Sequence, residues 1–141
     1  MLRSMIAGAA LIALTACSSP PPAMPENATA VGAVAERSFA VPMSSPGAPP
    51  VIVHIDYMPS VSRGPQARFA GRIWASSNVA SVEVRTNLFS INATKRGIGT
   101  FTYDTSVYDL PPIFIRAYRL RVIARTTAGV EAEEDLPFRI R

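Results

Sequence analysis

Few side chains in this chain of 141 residues can do covalent or acid–base chemistry, and they are scattered. Cys17 is the only thiol and His54 the only imidazole. One cysteine cannot close a disulfide within the chain, and a lone histidine lacks the second ligand that a Cys/His metal site needs. A serine nucleophile would need His54 beside an acid, and no nucleophile-elbow pattern occurs. Glu131, Glu133, Glu134 and Asp135 are the one acidic cluster. They sit on a strand opposite arginines, which reads as a solvated, salt-bridged face rather than a hydrolytic carboxylate pair. Gly97 and Gly99 carry no other part of a phosphate-loop fingerprint. No enzyme activity, metal or cofactor is expected. Two chemistries remain: acylation at Cys17, and anion binding by Arg116, Arg119, Arg121 and Arg125, which lie within ten residues.

The position of Cys17 is informative. Arg3 precedes an apolar run from Met5 to Leu14, and Leu14-Thr15-Ala16-Cys17 ends it. A positive end, an apolar stretch and small residues at a junction form the layout of a secretory signal. The run is about half of the roughly 20 residues needed to span a bilayer. With cysteine directly after the small residues, the segment resembles the lipobox of bacterial lipoproteins. That resemblance implies a signal peptide over residues 1–16, a diacylglyceryl group on the Cys17 sulfur, and cleavage before Cys17. It also implies attachment to the cell envelope through lipid chains such as palmitate. Ser18 and Ser19, rather than Asp, follow the cysteine. In Gram-negative lipoproteins this implies the outer membrane, facing the periplasm or the surface. At about 0.8 kcal/mol per buried methylene, two or three acyl chains anchor firmly.

Composition divides the rest near residue 50. Ser18 to Pro50 holds eight prolines, one aromatic (Phe39) and three charges (Glu26, Glu36, Arg37). Such a segment buries too little apolar surface to offset its chain entropy, so residues 17–50 read as a lipidated cysteine and a disordered Pro-rich tether, with a short helix or docking on the domain as the alternative for the more apolar stretch Ala28 to Val41. Residues 51–141 read as one folded domain with ten of the eleven aromatics. Its short runs alternate in polarity: Val51 to Tyr57, Phe69 to Ala75, Val82 to Arg85, Ile98 to Tyr103, Tyr118 to Ala124 and Leu136 to Ile140. Period-two patterning at about ten-residue spacing predicts an all-β antiparallel sandwich of about seven strands. The expected core is Val53, Ile55, Phe69, Ile73, Val82, Val84, Phe101, Tyr118, Leu120, Val122, Phe138 and Ile140. Thr127-Ala128-Gly129 suits a three-residue hairpin loop with Gly in the left-handed region. That loop pairs Arg125 with Glu131 and Arg121 with Asp135 on the outer face. It also puts Glu134 inside, so a bulge near Glu134-Asp135 is expected to turn it out.

Tyr118-x-Leu120-x-Val122-x-Ala124 followed by Gly129 and a last strand resembles strands F and G of immunoglobulin-like and fibronectin type III-like domains. Ser77 to Val84 is similar to the B–C turn and C strand of bacterial Ig-like repeats. The resemblance implies a single Ig-like sandwich, with Tyr118 packed at a corner. No cysteine pair joins the sheets, and Trp74 is out of phase with Phe69 and Ile73, so Trp74 is expected at the surface.

The net charge is +4, and it falls to +3 without Arg3. Twelve of the fourteen cations lie beyond residue 50 and all but Lys95 are arginine. The arginine stripe is expected to pair with Glu83, Glu131, Glu133 and Asp135 across the sheet. Its alternative role is to hold acidic polysaccharide or lipid head groups. Asn27 and Asn92 head sequons that bacterial-type processing leaves unused. The expected protein is a lipid-anchored, non-catalytic interaction module of the envelope, its partner another envelope protein or a glycan. Nucleic acid is not expected.

Overall fold

The computed structural model describes residues 20–61, 68–87, 89–106 and 117–140. Cys17 and Arg116 lie outside the described residues, as do the side chains of Tyr118 and Ile140.

Among the described residues there is no helix and there are ten strands. They are β1 (Ala28–Ala30), β2 (Ile52–Tyr57), β3 (Ser60–Val61), β4 (Arg68–Ala75), β5 (Val79–Arg85), β6 (Ser90–Asn92), β7 (Thr94–Gly97), β8 (Thr100–Ser106), β9 (Ala117–Thr126) and β10 (Glu131–Ile140). One sheet runs β1-β2-β4-β8-β7 and the other β3-β10-β9-β5-β6. The two sheets form an all-β sandwich around one apolar core. The four strands beyond the long ones, β1, β3, β6 and β7, have two to four residues each. Segments that short show no readable alternation.

Alternation explains which residues enter the core. Ile55, Ile73 and Phe101 lie side by side across β2, β4 and β8 and face inward. Val82, Val84, Leu120, Val122, Leu136 and Phe138 face them from the other sheet. Phe69 and Phe138 meet between the sheets edge to face, with centroids 5.2 Å apart. Each such aromatic pair adds about 0.5–1.5 kcal/mol beyond its area. Val53 departs from expectation. The β2–β4 register shifts between Ile52 and His54, so Ile52 takes the inner side and Val53 is only half buried. A bulge inserts one residue and reverses the phase on one side of it. The run from Ile98 to Tyr103 also divides, because Ile98 and Gly99 form the β7–β8 turn. Gly99 has φ 64°, and a Cβ there would lie 2.2 Å from the Ala75 carbonyl oxygen.

The last hairpin follows the predicted register. Gly129 has φ 81°, its amide donates to the Thr126 carbonyl, and Arg125 faces Glu131 while Arg121 faces Asp135. No bulge follows: pairing runs unshifted from Glu131 to Arg139. Glu134 therefore stays opposite Val122 on the inner side, half buried, where Asn27 Nδ2 donates to its Oε1 at 3.2 Å. The N-terminal segment supplies the polar partner that makes the bulge unnecessary.

That segment lies against the sandwich. β1 pairs in parallel with β2, and the Ser77 amide donates to the Pro42 carbonyl. Asn78 Nδ2 donates to the Ser45 and Ala48 carbonyls, at 3.2 and 2.7 Å. Tyr57 donates to Pro137 O at 2.9 Å and lies 3.4 Å from the Met24 sulfur. Burial pushes its hydroxyl up to about 12. The sequence expectation of a free tether is replaced by a strap that reaches from Met24 to Pro50. Its few apolar residues suffice because the sheet provides the other half of each contact.

Gly71 and Tyr103 provide a test of this packing. They are cross-strand partners, and a Cβ on Gly71 would sit 2.4 Å from the Tyr103 hydroxyl. Gly71→Ala is expected to lower stability by about 1–3 kcal/mol in urea unfolding, as overpacking does. Tyr103→Phe removes a buried hydroxyl that has no partner among the described residues, and is expected to cost less than about 0.5 kcal/mol.

Candidate functional site

The outward faces of the two sheets carry the polar chemistry, and they are built differently. On the first sheet, His54, Asp56, Arg72 and Trp74 project away from the core, because each alternates with an inward residue. Asp56 is 0 % exposed and Trp74 is 2 % exposed. The strap covers both. Arg37 Nε donates to Asp56 Oδ2 at 2.6 Å, and Arg37 Nη2 closes the second half of a bidentate pair with Oδ1. The Asp56 carboxylate raises the affinity of the Arg37 guanidinium for its proton. Phe39 stacks on His54 at 4.2 Å and meets Trp74 edge to face at 4.8 Å. His54 Nε2 is also 3.0 Å from Thr29 Oγ1 and 3.3 Å from Asp56 Oδ1. With Arg37 Nη2 also 3.3 Å from its Nε2, the only imidazole is held among Phe39, Thr29, Asp56 and Arg37, which suits a structural role better than proton transfer.

Trp74 corrects the expectation of an exposed tryptophan. Its phase agrees with the alternation, since it lies on the face opposite Phe69 and Ile73. What covers that face is Phe39, some 35 positions earlier in the chain. Phe39 is the one aromatic of the Pro-rich segment, and that solitary placement is the signal in the sequence that points to the contact.

On the second sheet the outward face is an ionic ladder across β5, β9 and β10. Arg121 Nε donates to Asp135 Oδ1 at 2.8 Å, and Arg119 stands 3.4 Å from the same carboxylate. Arg125 bridges Glu131 at 2.6 Å and Glu83 at 2.7 Å. Arg85 Nε reaches Glu83 at 2.9 Å, and Ser90 Oγ donates to it at 2.5 Å. The hydrogen bonds from Ser90 and Arg125 hold the Glu83 carboxyl down at about 2. The Arg121 hydrogen bond likewise lowers Asp135. Of the four stripe residues, Arg119, Arg121 and Arg125 share this face and each meets a carboxylate.

The ladder is not uniform. Arg125 sits at the hairpin end with Glu131 and Glu83, whereas Arg119 and Arg121 share Asp135 at the other end, beside Arg85. Arg85, Arg119 and Arg121 line a shallow pocket with Thr86 and Asn87. Arg85 does not belong to the stripe visible in the sequence because it lies on a different strand. Its membership follows from the Arg85–Arg121 register, which pairing of β5 with β9 alone decides. Among the described residues no group of three His, Cys, Asp or Glu is arranged to hold a metal ion.

Two measurements test these faces. Phe39→Ala is expected to shift Trp74 fluorescence to longer wavelength and to cost about 2–4 kcal/mol in urea unfolding. Glu83 has a folded-state value of about 2 against an ordinary 4.5. Its stabilisation is therefore present above pH 4.5 and is lost as pH falls toward 2, up to about 3 kcal/mol at 1.36 kcal/mol per unit. Glu83→Gln is expected to lower stability at pH 7 and to flatten the acid-unfolding curve between about pH 5 and 2.

No model of a known protein family matches the chain, and a search of curated proteins finds no significantly similar sequence.

Proposed function

We propose that this chain is a lipid-anchored cell-envelope protein that displays a non-catalytic, Ig-like interaction domain. The observation that carries the reading is Leu14-Thr15-Ala16-Cys17 after a basic residue and a short apolar run. Acylated on Cys17, the mature protein would insert its chains in one leaflet and present the sandwich to the aqueous side. The Ig-like assignment draws support from strand order. β2-β4-β8-β7 runs as A-B-E-D would, and β10-β9-β5 as G-F-C would.

The strap changes how the domain stands on its anchor. A free segment of 33 residues could reach about 100 Å when drawn out, at about 3.1 Å per residue. Pro21 and Met24 already lie beside Tyr57, Pro137 and Arg139. Only three residues then lie between the acylated cysteine and Pro21, a reach on the order of 12 Å over four residue steps. The domain would ride close to the lipid, with the Pro137–Arg139 end of β10 nearest to it. Interaction surfaces would be the free loops and the second sheet's outer face, because the strap occupies the first.

Detergent-phase partitioning tests the reading. The wild-type chain expressed in a bacterial envelope is expected to incorporate labelled palmitate and enter the detergent phase. Cys17→Ser is expected to leave an unprocessed precursor without label. Labelling and partitioning of that variant like wild type would refute the anchor.

A further inference from the structure

The pocket between β5 and β9 has a lining that the rest of the ionic ladder does not share. Arg85, Thr86, Asn87, Arg119 and Arg121 line it, and no carboxylate is among the described lining residues. Glu83 and Asp135 approach the guanidinium groups from the side. Arg85 uses Nε and Nη2 on Glu83, and Arg121 uses Nε and Nη2 on Asp135. Glu133 adds a longer contact, 3.6 Å from Arg121 Nε. Arg119 makes the weakest pairing of the three, a single contact at 3.4 Å. A guanidinium carries five donors, so the Nη1 edges of Arg85 and Arg121 and most of Arg119 stay unbonded among the described residues. The rim is tied down by a closed turn: the Thr86 amide donates to the Phe89 carbonyl at 2.8 Å, and the Phe89 amide donates to Thr86 Oγ1 at 3.1 Å.

We propose that Arg85, Arg119 and Arg121, with Asn87 at the rim, form a binding site for a phosphate group. Three guanidinium groups from two strands suit an anion with three or more acceptor oxygens, and Arg–phosphate forks are among the stronger charge-assisted contacts. The site's place in the fold indicates a source. Arg119 lies opposite Pro137 on β10, and Pro137 shares a surface hollow with Pro21, four positions after Cys17. The pocket thus opens at the end of the sandwich where the chain leaves for Cys17. The phosphate is that of a lipid head group, an assignment of source that rests on the anchor reading, whereas the phosphate chemistry does not.

The test uses the full chain with Cys17→Ser, so that no acyl group contributes. Titration with inorganic phosphate, followed by NMR of backbone and arginine side-chain signals, is expected to saturate with shifts at Arg85, Asn87, Arg119 and Arg121. Arg85→Ala and Arg119→Ala are each expected to weaken binding about tenfold, the loss of one charge-assisted contact. Arg68→Ala removes the same charge from the opposite sheet and is expected to change affinity less than about twofold. Asp135→Asn releases Arg119 and Arg121 from their shared carboxylate and is expected to tighten binding, a gain that misfolding cannot mimic. Absence of saturation, or equal losses from Arg68→Ala and Arg119→Ala, would overturn the site. Flotation with phosphatidylcholine vesicles, with and without phosphatidylglycerol, then separates the sources. Arg119-dependent flotation supports a head group. Phosphate binding without flotation keeps the site and refutes the lipid source, while the anchor itself stands or falls separately on palmitate incorporation.

Discussion

The pairing of β9 with β10 is the constraint on which most of the second sheet depends. A three-residue turn ending in Gly129 sets it, and Gly129 alone in that turn needs the left-handed region. A slip of one residue would turn Leu120, Val122, Leu136 and Phe138 toward water and bring the arginines into the core. With the observed register, the same alternation builds the inner wall and the ionic ladder together. β5 then joins β9 from the other side, and its Glu83 and Arg85 complete the ladder.

The first sheet solves a different problem. Both of its faces carry groups that are unfavourable in water or when buried alone, with Ile73 inside and Trp74 outside. An unpaired buried carboxylate at Asp56 would cost several kcal/mol, and Arg37 removes that cost through a bidentate contact. The strap is therefore held by its polar and aromatic residues rather than by a continuous apolar stripe. Arg37 and Phe39 act as two pegs, with β1 and the Asn78 contacts at the ends.

These two solutions leave the faces unequal in what they can offer a partner. The first face is covered by its own chain. The second carries half-exposed arginines and carboxylates around a buried Ile123 and Glu83, and it is nearly neutral because each arginine has an acid beside it. A guanidinium paired through Nε and one Nη still has a further edge to offer, so a face balanced in sum can present a local anion site. On the proposed anchoring, the strap turns the end that holds Arg119 toward the lipid.

Alternation in Phe69 to Ala75, Val82 to Arg85 and Tyr118 to Ala124 is enough to specify an all-β domain. It also places nine of the core positions and, with Gly129, the Arg121–Asp135 and Arg125–Glu131 pairs. These are local properties, set by the side-chain period of a strand and the geometry of one turn. What tertiary structure decided is whatever depends on residues far apart in the chain. The β2 bulge moved Val53 off the core because pairing with β4 absorbs an extra residue. Trp74 is buried and Glu134 stays inside because Phe39 and Asn27 arrive from a segment whose composition reads as tether. Arg85 joins Arg119 and Arg121 only through the β5–β9 register. Composition measures how much apolar surface a segment owns, but not the surface another segment brings to it, and that surface exists only once the chain has folded.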